Sequence, residues 1–535
     1  MIGVYLSSLL VIAMALYISW RKRKFSLFKD IGIPGPRPNI ISGNLPELVE
    51  KGALVTFKQW TEKYGSLVGF YNGRLPMVLI KDLDLIKQVQ ISMFSSCSAR
   101  GMMTMLSSNH PVRKLHMFNA TGRKWKTIRS VCTRAYNSVY IKKMSHLLEL
   151  CTDEFLEALE ATADKGEPFD TVSTCRAFAA SAMLRTAFSF KMDEQDKTGG
   201  VIRKCVNKLT LRNIALFEGG VLHWLSNCFP EFTRLIQLAL RIAEYIKPPG
   251  MCEVRDAISP IIYTRQLNQS EIRSTDLLQF MVDAAAPDSG CPSDPLTTSP
   301  RDKTTGESME GDAKLPCESL LSDVEILSNA SLVLSVGTVN LSKYLCWMLY
   351  LLAKHQDVQK KVKAEVQKLL AAEGAINYGT VTKMQYLEQV LQEGLRMHSS
   401  PSGFVTRLAE RDMDTGRVVI PKGVSLLIPT YILHNDPELW EDPERFDPER
   451  FAPGNNKPVE VDSIAFQPFG AGPRNCFAMM FSKVILMLLL AKVLSQYRLV
   501  LNNGNHKLDM TDRDMEDMLA AGYVERALWI KFEKY

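Results

Sequence analysis

The chain has 535 residues, enough for a large buried core, with 46% hydrophobic and 23% charged residues, the balance of an ordinary folded protein. A net charge of +6 without a polybasic tail or a nucleic-acid-binding motif argues against a nucleic-acid partner. Eleven cysteines without paired short spacings argue against a disulfide framework, and the eight histidines show no zinc-ligand spacing.

From Ile2 to Trp20 the sequence is almost wholly apolar and just long enough to cross a hydrocarbon core; Arg21, Lys22, Arg23 and Lys24 follow. The charge lies behind the run, and bulky Tyr17, Ile18 and Trp20 stand where a cleavage site would need small residues. Residues 1–24 are therefore expected to be a transmembrane signal anchor with a basic stop, the body facing the cytosol. Residues 25–50 form a hinge and entry segment; Pro34, Pro36 and Pro38 make its centre a stiff extended spacer. Residues 51–535 read as a single domain.

Within that domain the pattern predicts a helix near Phe57–Tyr64 and a hairpin over Gly69–Ile80, turning at Asn72-Gly73. Ser98–Asn119 lacks periodicity and reads as a loop able to cover a ligand. Trp125 and Arg129 fall four apart on one helix face, with Arg123, Lys124 and Lys126 beside them. The zone from Val221 to Leu238 is strongly apolar, either core or a roof that dips into a bilayer. Lys247-Pro248-Pro249-Gly250 stops the helical pattern, and 287–319 reads as an exposed flexible loop. Leu321–Leu352 is a long helix opened by Ser322, Asp323 and Glu325, apolar enough to cross the interior and interrupted by Ser335, Gly337, Thr338 and Asn340. Glu393 and Arg396 can pair on one helix face, and Pro443–Phe446 and Pro448–Phe451 are near-duplicates downstream. Last comes FGAGPRNCFA, Phe469–Ala478, followed by an apolar run from Met479 to Leu494. On its residues alone, Cys476 is a buried cysteine beside a glycine turn or a thiolate held by free amides ahead of a helix.

The pattern Phe469-Gly470-x-Gly472-x-Arg474-x-Cys476 resembles the haem-binding loop of the cytochrome P-450 superfamily, with Ala478 where that family most often has glycine. The resemblance runs over nearly the whole chain. It implies a mainly α fold with small β-sheets and haem b held by the Cys476 thiolate. Phe469 and Arg474 flank the ligand, Arg474 able to pair with a carboxylate of a bound group, and Trp125, Arg129 and Arg407 (in FVTR) would reach the haem propionates. Glu393, Arg396 and Arg450 would form a buried structural triad, the later Pro-Glu-Arg-Phe copy fitting better. The long helix matches the family's distal helix, placing Gly337 beside bound oxygen, Val339 for the acid and Asn340 for the threonine, with Thr338 as a displaced hydroxyl. Wording such as FQPFGAGPRNC is most similar to the microsomal branch that oxidises xenobiotics and steroids. The implied function is monooxygenation of a small lipophilic substrate, with NADPH-derived electrons from a flavoprotein reductase, and cytochrome b5 as a further donor. The implied location is the endoplasmic reticulum membrane. The alternative is a reductase-independent isomerase or dehydratase of lipid hydroperoxides, because some such members carry asparagine near the position of Asn340.

Overall fold

The structure, a computed structural model, describes residues 2–101, 115–165, 169–191, 202, 204–205, 221–246, 250–267, 275–285, 321–398, 403–454, 463–501 and 528–535. The expected loop at 287–319, the centre of the 98–119 stretch and the stop at 247–249 lie outside the described residues.

The first helices are α1 (Ile2–Lys24), α2 (Leu27–Asp30), α3 (Leu45–Lys51) and α4 (Ala53–Tyr64). Strands β1 (Leu67–Asn72) and β2 (Leu75–Ile80) form the expected hairpin, pairing from Leu67 with Ile80 to Asn72 with Leu75. Gly73 makes its tight turn at φ +65°, a conformation that a side chain would strain. Next come α5 (Leu83–Lys87), α6 (Gly122–Ala135), α7 (Ser138–Ala163), the short β3 (Phe169–Asp170) and α8 (Thr171–Phe188). They are followed by α9 (Val221–Cys228), α10 (Thr233–Ile246), α11 (Gly250–Leu267), α12 (Leu277–Asp283) and α13 (Asp323–Lys354). The last part holds α14 (Gln356–Glu373), α15 (Tyr378–Val381), α16 (Gln385–Met397), β4 (Val405–Leu408), β5 (Met413–Asp414), β6 (Val419–Ile420) and β7 (Ser425–Ile428). It ends with α17 (Thr430–His434), α18 (Met479–Gln496), β8 (Tyr497–Leu501) and β9 (Trp529–Lys534). The fold is mainly helical, with small sheets ordered β1-β2-β7-β4, β3-β9-β8 and β5-β6.

The long α13 crosses the main core. A capping box starts it: the Ser322 N–H and hydroxyl both donate to Glu325 at 2.9 Å, which satisfies end groups that would otherwise lack partners. Beyond that turn it is buried on nearly every side, so its apolar character all round follows from burial in protein. Helix α8 lies along it and offers Ala179, Ala180, Ala182 and Ala187, small side chains that let two helices approach closely. α13 and α18 are long and apolar enough to cross a membrane, but both are mostly enclosed by the rest of the protein.

Three expectations gain detail. The proline segment, expected as a stiff extended spacer, is fastened to β1: Gly69 N–H donates to Pro34 O at 2.8 Å, and a Cβ on Gly35 would lie 1.9 Å from Gly69 O. An extended stretch poor in donors still offers carbonyls, and β1 uses one. Of the four residues of the basic stop, Arg21 is only 2% exposed, its guanidinium satisfied by backbone carbonyls. The 221–238 zone is not simply core either. Val221, Trp224, Phe232, Leu235 and Leu238 are exposed while Cys228 and Ile236 are buried.

Candidate active site

The Cys476 loop owes its shape to two glycines. Gly470 and Gly472 take φ of +73° and +69°, and a Cβ on Gly472 would lie 2.0 Å from the Gln90 carbonyl oxygen. The Cys476 N–H donates to Phe469 O at 2.8 Å and closes the loop, while the Phe469 and Phe477 rings pack on the main core. Ala478, at φ −98°, needs no glycine, so the departure from the resemblance carries no strain. Helix α18 follows at Met479, but Met479 and Met480 are exposed and the buried run begins only at Phe481. Burial pushes the Cys476 thiol up, while the Ala478 amide and the charges of Arg129 and Arg100 pull it down; burial wins. A backbone amide therefore does favour the thiolate here, as expected, but against burial; a bound metal ion would tip the balance, because coordination deprotonates a thiol outright.

Arg129 and Arg100 lie near enough to Cys476 for their charges to act on it, Arg407 and Arg474 lie near Arg100, and hydrogen bonds divide the four. Arg474 donates to Ser98 O at 2.9 Å, Met117 O at 3.1 Å and Ala120 O at 2.5 Å, with its guanidinium 4.4 Å from the centre of the buried Trp125 ring. Arg129 donates to Asn475 O at 2.5 Å and Asn475 Oδ1 at 2.6 Å. These two arginines thus clip the loop to α6 and to segments 98–101 and 116–120, and Trp125 braces Arg474. The fork of Arg129 and the donors of Arg474, expected to meet a carboxylate of a bound group, are engaged by the protein itself.

Arg407 and Arg100 are different. Arg407, on β4, is 1% exposed, gives one N–H to Thr406 O at 2.8 Å and leaves Nε without a partner among the described residues; burial pulls it down to about 10. Arg100 lies over the Phe118 ring at 3.9 Å with Nε equally enclosed and, among the described residues, unpaired. Burial and the charges of Arg407, Arg474 and Arg129 pull its pKa far down. Enclosed cations that repel one another and keep orphaned donors need an anion between them. A dianionic group whose metal accepts the Cys476 sulfur fits this donor set, and haem b with its two propionates is such a group. Sequence reasoning missed Arg100, because it sits in a motif-free loop and only the fold brings it to Arg407.

On α13, Tyr344 lies near enough to Cys476 for the cysteine charge to add to burial in pushing its phenol up. The helix therefore passes the site one turn beyond Asn340. The Oγ1 of Thr338 and Oδ1 of Asn340 are enclosed and without hydrogen-bond partners among the described residues, and Val339 is buried. A Cβ on Gly337 would lie 2.6 Å from the Met183 terminal methyl of α8, so this glycine also leaves room for that side chain. Sequence reasoning also passed over Lys343, buried on α13 and pulled down to about 7 by desolvation, with its charge felt by buried His398.

Behind the loop, Glu393, Arg396 and Arg450 come together, all buried. Arg396 donates to both Glu393 oxygens at 2.7 and 2.9 Å, and Arg450 Nε donates to Glu393 Oε1 at 3.2 Å. Asp447 N–H adds a bond of 3.0 Å to the same oxygen, and Arg396 also reaches His434 O and Pro443 O. The exposed Arg445 shows why the later of the two duplicate motifs supplies the partner.

The pattern of family model matches decides what this architecture is. The model described as Cytochrome P450 matches residues 33–521. The chain belongs to the cytochrome P450 family. Similar curated proteins include Cytochrome P450 3A6 of Oryctolagus cuniculus, 27% identical over 91% of this chain and 90% of its own length. Cytochrome P450 3A28 of Bos taurus is 28% identical over 91% and 89%. Lithocholate 6-beta-hydroxylase of Mesocricetus auratus is 27% identical over 92% and 90%. The protein is thus a P450-type oxidoreductase of the monooxygenase class whose cofactor is haem b.

One support of this P450 site is pH-sensitive. His434 receives the Gln467 N–H on Nε2 at 2.9 Å and sets Nδ1 against Arg396 O at 3.2 Å, linking the triad to the cysteine loop. Burial and the Arg396 charge hold its pKa at about 3. The unfolded chain takes up this proton near its ordinary value, so stability is complete above about pH 6.5 and falls as pH drops toward the folded value. The expected loss approaches about 1.4 kcal/mol per pH unit across that window. Melting temperatures from pH 7 to 4 should fall more steeply for the wild type than for His434→Gln, and parallel curves would contradict the assignment.

Proposed function

We propose that this P450 is a membrane-anchored monooxygenase that inserts one oxygen atom from O2 into a small lipophilic substrate, using NADPH-derived electrons from a flavoprotein reductase. One observation carries the reading: Arg100, beside Cys476, meets Arg407, and both keep enclosed donors unpaired among the described residues, close to a helix whose Thr338 and Asn340 oxygens are likewise unpaired there. Haem, when bound, supplies the iron at which oxygen is activated. Cys476 would hold that iron, and Arg100 and Arg407 would hold the propionates. Arg129, Arg474 and Trp125 keep the loop in place. Val339 has no proton to give or take, so Asn340 would organise the water that brings protons to the distal side.

Electron delivery needs a docking face on the cysteine side. Helix α6, clipped to the loop through Arg129 and Asn475, exposes Arg123 and Lys126, whereas Lys124 is engaged by Glu325 at 2.5 Å. Such a basic face suits an acidic flavoprotein, and cytochrome b5 by the same charge logic. The exposed apolar residues of α1 and of α9–α10 support an anchor in the endoplasmic reticulum membrane with the body in the cytosol. The hydroxylase name of the Mesocricetus auratus relative supports a lipophilic substrate of steroid size.

The distal residues make a sharp test. With reductase present, wild-type enzyme should oxidise NADPH in excess of product and release hydrogen peroxide. Asn340→Thr should raise product per NADPH severalfold, and Val339→Glu with Asn340→Thr should raise it further; each tenfold corresponds to about 1.4 kcal/mol. Rapid rearrangement of a lipid hydroperoxide without NADPH, lost in Asn340→Ala, would reverse the choice of reaction.

A further inference from the structure

The base of α1 is fastened to the body by a polar cluster that the catalytic site does not use. Arg21 donates to Ile40 O at 2.8 Å, Ile41 O at 2.7 Å and Cys228 O at 2.9 Å, and to the Tyr17 hydroxyl at 2.8 Å. The Tyr17 hydroxyl donates to Glu231 Oε1 at 2.9 Å, and Arg21 Nη1 lies 3.6 Å from the same oxygen. The second oxygen of Glu231 receives Arg74 Nη1 at 2.9 Å. Arg74 stands in the β1–β2 turn, its guanidinium 4.6 Å from the centre of the Trp20 ring of α1. Its own N–H donates to Asn227 O at 2.8 Å, and a Cβ on the neighbouring Gly73 would lie 2.5 Å from that same oxygen. Four parts of the chain therefore meet here: the end of α1, the entry segment at 40–41, the β1–β2 turn and the link from α9 to α10.

The geometry points to Glu231 as a keystone that fixes the attitude of α1 relative to the body through Tyr17, Arg21 and Arg74. Two oxygens of one carboxylate serve three groups on two elements, and one of the three, Arg21, is itself buried. A flexible tether would leave these groups solvated. Above the cluster, Leu9, Leu10, Val11, Ile12 and Leu16 of α1 are exposed, as are Val221, Phe232, Leu235, Leu238 and Ile242 beside it. The lock holds these two apolar sets in one fixed relation. Resting on the membrane reading above, a single bilayer then receives both, and the site meets the lipid surface at a set angle. Lys22, Arg23 and Lys24 follow the span and complement anionic head groups. A substrate dissolved in lipid would meet the protein in one orientation.

The test measures the lock directly. Spin labels on noncanonical residues, replacing Leu10 on α1 and exposed Lys360 on α14, avoid the native cysteines. Pulsed electron-spin resonance on full-length holoprotein, in detergent and in phosphatidylcholine nanodiscs, should give one narrow distance distribution. Glu231→Ala should at least double its width and Arg74→Met should widen it too, with haem content unchanged. Glu231 is near the surface, so its removal leaves the core intact, and Tyr17→Phe provides a milder second variant. A broad distribution in the wild type, or an unchanged width in Glu231→Ala and Tyr17→Phe, would overturn the lock. Flotation with phosphatidylcholine vesicles separates the two readings. Wild type that fails to float but keeps a narrow, Glu231-dependent distance retains the lock and loses the bilayer; floating protein with a Glu231-independent width does the reverse.

Discussion

Cys476→His should still bind haem yet lose the strongly red-shifted Soret band of the reduced, carbonyl-bound protein, together with monooxygenation. The loss follows from what the loop does and does not supply. Its backbone is set by Gly470 and Gly472 and closed from Cys476 N–H to Phe469 O, so a histidine can be presented at the same point. The arginine donors that would hold the propionates are elsewhere, on Arg100 and Arg407, and survive the change. What disappears is the sulfur anion, whose electron donation favours O–O cleavage. A loss on the order of a thousandfold in turnover, about 4 kcal/mol of barrier, is expected with haem stoichiometry nearly kept. The red-shifted band surviving in Cys476→His would mean that another thiol is the ligand. Cys132 and Cys97 are the buried cysteines to examine next, both pushed up by desolvation, to about 12 and about 11.

The parts of this protein that were legible in its sequence are those whose cause is local. The β1–β2 hairpin follows from alternating apolar residues around Asn72-Gly73, and α13 from its Ser322–Glu325 cap and its length. The cysteine loop was readable because glycines at fixed spacing leave few other shapes for the backbone. Where the cause lies across the fold, reading failed. Arg100 gains its meaning only when Arg407 arrives from β4, three hundred positions later in the chain on the order of magnitude, a closure that no local pattern records. Gly337 stood out because helices rarely keep a glycine without reason, but that it also makes room for Met183 of α8 shows only in the fold. Arg474 and Arg129 were read as donors for a ligand because their charge is visible in the sequence, while the carbonyls that occupy them are not. Arg21 showed only as one of four basic residues after an apolar run. A charge shows in the sequence, but its partners show only in the fold.

Glu393→Ala should yield little holoprotein, and a melting transition well below that of the wild type. The carboxylate is fully buried and receives Arg396 through two bonds, Arg450 through one and the Asp447 N–H through a fourth. Removing it leaves two enclosed guanidiniums facing each other without an anion. Breaking a buried pair in this way costs about 3–5 kcal/mol, a large part of the stability of a folded domain. The damage also has a direction. Arg396 holds His434 O at 2.6 Å and Pro443 O at 2.7 Å, and His434 in turn holds the Gln467 N–H two residues before Phe469. The loop that presents Cys476 should therefore loosen before the distal core around α13 does. Hydrogen exchange on Glu393→Gln, which keeps the shape and loses the charge, should show faster exchange at residues 467–476 than at the centre of α13. Full haem occupancy and unchanged melting in Glu393→Ala would return the pair to decoration, whereas uniform exchange in Glu393→Gln would leave the triad structural but uncouple it from the loop.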